Sequence, residues 1–187
     1  MKTLATLAVL LVLAVPATAA VVWNEGVNGD LSTSEATPTP LVFALGSNTV
    51  LGTVGAPSDT RDYLTFTIPA GQKLSALNLL AWTPDNLGFA SFNSGNTSFI
   101  PGAATDPLFL AGIHISSANV GTDLMPLFDT AAVTTNSLPA PELGPGTYTF
   151  LVQQTSAITE QHGFEFVLIG GTPNRETSWG RIKGLYR

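Results

Sequence analysis

The sequence predicts an all-β chain, an antiparallel, jelly-roll-like β-sandwich of about eight or nine strands, preceded by a signal peptide and followed by a short tail. Three observations carry this expectation. Short β-branched and aromatic runs recur along the chain, separated by Gly, Pro, Asn and Asp. Several of these runs alternate at period two, the mark of a strand with one buried face. No helix of the length a βαβ crossover needs lies between them, so two antiparallel sheets packed face to face are the economical solution.

The elements follow in order. Leu41–Leu45 and Asn48–Val54 flank Gly46-Ser47 and predict a hairpin. Asp62–Ile68 alternates, with Tyr63, Leu64, Phe66 and Ile68 against Thr65 and Thr67, and Pro69-Ala70-Gly71-Gln72 is a turn. Leu74–Trp82 is apolar on both sides of the alternation and reads as a strand buried on both faces. Leu87–Phe92 and Leu108–Ser116 are further strands around an open Asn/Ser/Gly/Thr/Pro stretch at Asn93–Pro107. Val120–Ser137 fits either a short strand or a helical turn. Pro139–Gly146 is a turn region, and Thr147–Thr155 and Gly163–Ile169 complete the sandwich. No tandem repeat at solenoid or propeller period is present.

Both ends differ from this body. Lys2, the apolar run Leu4–Val15, Pro16 and the small residues Ala17-Thr18-Ala19 form the three parts of a secretory signal peptide, with cleavage expected after Ala19 or Ala20. The run is shorter than the roughly 20 apolar residues that span a bilayer. The expected organisation is therefore a signal peptide at 1–20, a sandwich domain at 21–170, and a linker with a basic, aromatic tail at 171–187. The expected location is secreted or cell-surface. Cys is absent, so no disulfide supports the exported domain.

Charge is divided unevenly. Between Val21 and Gly170 two cations, Arg61 and Lys73, stand against twelve carboxylates, a net of −10; residues 171–187 hold four cations and one acid, a net of +3. So acidic a body repels nucleic acid, whose binding needs Lys/Arg clusters. In the tail, Trp179, Ile182 and Tyr186 share one face at helical spacing, although Gly180 and Gly184 weaken such a helix. The segment reads either as a tail folded back on the sandwich or as a docking or sorting peptide.

Two stretches carry a family resemblance. Gly52-Thr53-Val54, Asp59, and Asp62-Tyr63-Leu64-Thr65-Phe66-Thr67-Ile68-Pro69-Ala70-Gly71-Gln72-Lys73-Leu74 resemble the opening strand pair of bacterial pre-peptidase C-terminal (PPC) domains. Gly144-Pro145-Gly146-Thr147-Tyr148-Thr149-Phe150-Leu151-Val152, with Gly163-Phe164-Glu165-Phe166-Val167-Leu168, resembles the closing pair. The start of the chain, Trp23-Asn24-Glu25-Gly26 with Gly29-Asp30-Leu31-Ser32, is similar to that of PEP-CTERM-type exported proteins, but the Pro-Glu-Pro motif and its hydrophobic helix are missing. The resemblance implies a jelly-roll-like accessory sandwich, of a kind usually appended to secreted peptidases and associated with binding calcium or matrix.

Calcium takes six to eight oxygen ligands from carboxylates and carbonyls. Asp59 and Asp62 are the candidate calcium ligands, with Asp30 and Asp85 as helpers; the plainer reading is a turn residue and a strand start. No other cofactor is expected. Catalysis by a triad needs a base, and the two histidines are isolated: His114 alternates with Ile113 and Ile115 on a strand, while His162 sits in Glu160-Gln161-His162-Gly163, a turn composition. No G-x-S-x-G elbow and no HExxH is present, so the chain is expected not to be an enzyme. A sugar-binding alternative places Trp82, Asp85 and Asn86 at a stacking site, helped by Trp23 and Asn93–Ser98, against a plain reading of Trp82 as core. The expected function is that of a non-catalytic structural or interaction module, or alternatively a carbohydrate- or calcium-binding one. The expected partners are cell-surface polysaccharide or sorting and secretion machinery.

Overall fold

The computed structural model describes residues 19–84, 86–98, 108–134 and 136–170; most of the expected signal peptide, at 1–18, Asp85 and the 171–187 tail with Trp179, Ile182 and Tyr186 lie outside the described residues. The alternating runs become nine strands: β1 (Ala20–Asn24), β2 (Thr39–Pro40), β3 (Gly46–Val54), β4 (Arg61–Ile68), β5 (Gln72–Thr83), β6 (Gly88–Ser94), β7 (Phe109–Ile115), β8 (Gly146–Gln153) and β9 (Glu160–Gly170). Two short helices accompany them, α1 (Glu25–Asn28) and α2 (Met125–Thr130). The strands form a four-stranded sheet in the order β1-β3-β9-β5 and a five-stranded sheet in the order β2-β4-β8-β6-β7. The chain is an all-β sandwich. Its central pairings are antiparallel, and the short edge strands β1 and β2 run parallel to β3 and β4.

The hairpin expected at Gly46-Ser47 does not form. Leu41 donates its N–H to the Thr65 carbonyl at the edge of the five-stranded sheet, whereas β3 pairs with β9 in the other. Leu41–Leu45 is therefore the crossover between sheets, and its Leu41 and Phe43 turn inward while Val42 faces solvent. The looser pattern of Leu74–Trp82 also has a structural cause: β5 shifts register against β9 twice, between Leu74 and Ala76 and between Leu79 and Ala81. The ambiguous stretch after Val120 caps the open edge of β5. Asp123 Oδ1 accepts the Leu77 N–H at 2.9 Å and the Met125 N–H at 3.0 Å, and α2 then buries Met125 and Phe128.

Aromatic rings fill the space between the sheets. Phe166 of β9 lies 4.9 Å from Phe43, 5.5 Å from Phe66 and 5.3 Å from Phe150, joining the crossover to both sheets. Phe150 continues the contact to Phe92, and Phe92 to Phe128 of α2. This continuous core replaces the covalent support that a cysteine-free domain lacks. Among the described residues no helix is long and apolar enough to cross a membrane.

Removing a ring from the centre of this cluster leaves a cavity that a close-packed sandwich cannot close. Phe166→Ala is expected to lower unfolding free energy by about 3–5 kcal/mol in urea titrations. Val27→Ala, at a side chain 80 % exposed, is expected to stay within about 0.5 kcal/mol of the parent.

Candidate cation site

Period-two geometry builds this site. Leu64, Phe66 and Ile68 point from β4 into the core, so Asp62, two residues earlier, points the same way. On the opposing sheet Phe164, Phe166 and Leu168 point inward from β9, and His162 continues their row. Asp62 and His162 therefore meet across the sandwich at one end of the core. Asp62 Oδ2 and His162 Nε2 are 2.6 Å apart, and both side chains are fully enclosed. His162 is a strand residue, not the turn residue its polar neighbours suggest, because β9 starts at Glu160.

Further carboxylates gather at the open end of this pair. Asp59 sits in the turn before β4, where Gly55 and Asp59 exchange backbone hydrogen bonds. Ligand oxygens of Asp30, Asp59 and Asp62 lie within 4.8 Å of one another, as do ligand atoms of Glu25, Asp62 and His162. Glu25 is already engaged: Oε1 accepts the Leu31 N–H at 3.1 Å, and Oε2 accepts the Thr53 N–H at 2.7 Å and its hydroxyl at 3.3 Å. Gly52 makes this packing possible, since a Cβ there would stand 2.7 Å from Glu25 Cδ and 2.8 Å from His162 Cε1. The cluster grades from exposed Asp30, through half-buried Glu25 and Asp59, to buried Asp62, and so has a solvent side.

Crowded negative charge in a dry place raises the affinity for protons. Burial, then the neighbouring Glu25 and Asp30, push the Asp62 carboxyl up to about 9. Burial, then Asp62, Asp30 and Glu25, push Asp59 up to about 7. Enclosure holds the His162 imidazole down at about 4, against the pull of the nearby carboxylates. Burial thus favours neutral forms on both sides of the Asp62–His162 contact. Two oxygens, Asp59 Oδ1 and Asp62 Oδ1, are buried with no hydrogen-bond partner. Carboxyls in such contact need a proton between them or a cation. Hard oxygens are the donor set of calcium or magnesium rather than of a soft metal, and the orphaned oxygens fit that use.

The expected pair Asp59 and Asp62 and the helper Asp30 are thus brought together, while Asp85 lies outside the described residues. Glu25 and His162 are the members missed in sequence. His162 carried a signal, because it extends the Phe164–Leu168 alternation; Glu25 carried none, since only tertiary folding of α1 brings it to Thr53. Of the expected sugar-stacking residues, Trp82 is buried and Asp85 lies outside the described residues. Trp82 is 2 % exposed, its indole N–H donates to the Asn86 carbonyl at 2.6 Å, and the Asn86 amide donates to buried Glu160 at 2.6 Å. Gly88 leaves room for this ring, because a Cβ there would lie 2.3 Å from Trp82 Cζ2. With its ring inside the core, Trp82 has no face to offer a ligand. Trp23 packs half-buried and donates to the Gly29 carbonyl. His114 is exposed on the outer face of the five-stranded sheet, edge-on to Phe89, and is not a member of the carboxylate cluster.

No protein-family model matches the sequence, and no curated protein matches it. Solved structures do show similarity. They include the pre-peptidase C-terminal domain of a collagenase from Bacillus anthracis, at 12 % identity and TM-score 0.35, covering 74 % of this chain and 98 % of that one. PliG from Salmonella Typhimurium, a periplasmic inhibitor of g-type lysozyme, is similar at 16 % identity and TM-score 0.34, covering 71 % and 100 %. A mutant of the Escherichia coli PliG inhibitor is similar at 19 % and 0.35, covering 70 % and 96 %.

The cluster makes stability depend on pH in a defined sense. A carboxyl whose folded pKa is raised from 3.8 contributes stability that is complete below 3.8 and lost as pH rises through the folded value. Neutral His162 acts oppositely, contributing above 6.5 and losing that contribution as pH falls toward about 4. Above 6.5 only the carboxyls remain, so in chelator the melting temperature is expected to fall between pH 6.5 and 9. Asp62→Asn, whose amide can either donate to or accept from His162 Nε2, is expected to flatten that fall, as read by calorimetric melts across the range.

Proposed function

We propose that this chain is an exported, non-catalytic β-sandwich that serves as a structural or interaction module and is stiffened by a calcium ion at one end. The observation that supports this reading most is the convergence of Asp30, Asp59 and Asp62 around buried oxygens that lack partners. Asp30, Asp59 and Asp62 would hold the ion, with backbone carbonyls and water completing its oxygen shell. Glu25 is committed to Leu31 and Thr53 and shapes the loop that presents Asp30. His162 fixes the orientation of Asp62 from the core side.

In this reading the ion supplies cross-linking and charge neutralisation, not chemistry on a substrate. It joins the loop after α1, the turn before β4 and the strand β4 itself, beside the Asp62–His162 contact between the sheets. Export rests on the signal peptide expected at residues 1–20. An extracellular setting also suits calcium, since extracellular modules bind it with dissociation constants of about 10⁻⁴–10⁻³ M.

Calcium added to chelator-treated protein is expected to raise the melting temperature, with about 2.7 kcal/mol of stabilisation at one hundred times the dissociation constant. Asp59→Asn and Asp30→Asn are each expected to remove most of that response while the fold, monitored by circular dichroism, persists. A melting temperature indifferent to about 10 mM calcium, ten or more times the weak end of that affinity range, would eliminate the proposal.

A further inference from the structure

The outer face of the five-stranded sheet carries a cavity that shares no residue with the carboxylate cluster. It measures about 340 Å³ and is lined by Leu87, Gly88, Phe89, His114, Gln153 and Thr155. Three of these residues stand in one row. Phe89 of β6 pairs with His114 of β7 on one side and with Gln153 of β8 on the other. Gln153 pairs in turn with Arg61 of β4. Their strand neighbours Ala90, Ile113, Val152 and Asp62 are buried on the inner face, so the four side chains of the row point outward. With strands about 4.8 Å apart, the row spans about 14 Å.

The row sets one aromatic ring among polar groups. A Cβ on Gly112 would stand 2.4 Å from Phe89 Cζ, so the ring reaches over β7 and lies along the sheet instead of standing away from it. The His114 ring meets it at 70°, with centroids 6.1 Å apart, and forms a wall beside it. Among the described residues no hydrogen bond occupies the side chains of His114, Gln153 or Thr155, and Arg61 pairs with no carboxylate. Arg61 Nε is buried without an acceptor. The rim is fixed in advance, because the Gln154 amide donates to the Leu87 carbonyl at 3.1 Å and the Trp82 indole to the Asn86 carbonyl at 2.6 Å. A preformed cavity of this size, with one ring and a few unengaged polar groups, has the make-up of a small-ligand site.

Chemistry narrows the ligand. An extended peptide would add beside β7, the outermost strand of this sheet, but that edge is already occupied. Val133 donates to the Gly112 carbonyl at 2.9 Å, and Gly112 donates to Thr134 Oγ1 at 3.1 Å. A polyanion is opposed by the net −10 of residues 21–170. A pyranose suits what remains: its C–H face packs on an aromatic ring, and its hydroxyls both donate and accept around the edge. We infer that this row binds a neutral oligosaccharide, with one sugar ring on Phe89, its hydroxyls bonded by His114, Gln153 and Thr155, and the next sugar toward Arg61.

Isothermal titration of the full chain with cellohexaose, laminarihexaose and chitohexaose tests this, with oligogalacturonate as the acidic comparison. At least one neutral oligosaccharide is expected to bind, and Phe89→Ala is expected to weaken that binding about tenfold, the loss of one stacked ring. His114→Ala and Gln153→Ala are expected to weaken it several-fold, and they keep the comparison should Phe89→Ala perturb the sheet. Binding is expected to be equal in calcium and in chelator, since the cavity holds no member of the carboxylate cluster. Failure of all three neutral oligosaccharides to bind would overturn the inference. Binding that the three variants leave unchanged, that is lost in chelator, or that is confined to oligogalacturonate would also overturn it.

Discussion

The hydrogen bond between Asp62 and His162 is the constraint on which the carboxylate end of this molecule depends. It joins residues one hundred positions apart, one from each sheet, at the end of a core of aliphatic and aromatic side chains. A buried polar contact of this kind adds little net stability compared with a well-packed apolar pair, but removing one partner leaves the other enclosed and unsatisfied. Its consequence is therefore positional. It holds the start of β4 against the start of β9, and so fixes the Asp62 carboxyl within reach of Asp59 and Asp30.

From that orientation the rest of the site follows. Asp59 arrives by a tight turn, Asp30 by the loop after α1, and Glu25 by its hydrogen bonds to Leu31 and Thr53. Gly52 contributes by absence, since any side chain there would occupy the space of both Glu25 and His162. Three carboxylates gathered about Asp62, with two buried oxygens lacking partners, are a source of strain unless positive charge is supplied. A proton supplies it at low pH, at the cost of raised carboxyl pKa values, and a divalent cation supplies it without protonation. The same end of the fold is thus either a cluster of reluctant acids or a bound ion.

Much of the sandwich was legible in the sequence, because its central strands obey a simple period. Asp62–Ile68, Leu108–Ser116 and Thr147–Thr155 each alternate, and each became a strand at nearly those bounds. Local pattern misled where tertiary pairing decides. Leu41–Leu45 looks like half a hairpin but crosses between sheets, and the very short β2 leaves almost no periodic trace. Polar composition concealed the start of β9: Glu160 and His162 are buried among aromatic rings, which their neighbours Gln161 and Gly163 disguise as a turn. Asp59 and Asp62 were visible as a pair because they are close in sequence, whereas Glu25 reaches the same site only through the folding of an earlier loop. Trp82 stood out as an aromatic near Asp and Asn, but its indole is satisfied inside by Asn86, so burial overrode that appearance.

The central claim is that the unpartnered oxygens of Asp59 and Asp62 are cation ligands. The most direct measurement is an anomalous difference map from crystals grown with calcium. The account predicts one strong peak enclosed by Asp30, Asp59 and Asp62, at about 2.3–2.6 Å from their oxygens, with His162 still bonded to Asp62. A map with no peak there, and with Asp59 and Asp62 sharing only a proton, would contradict it.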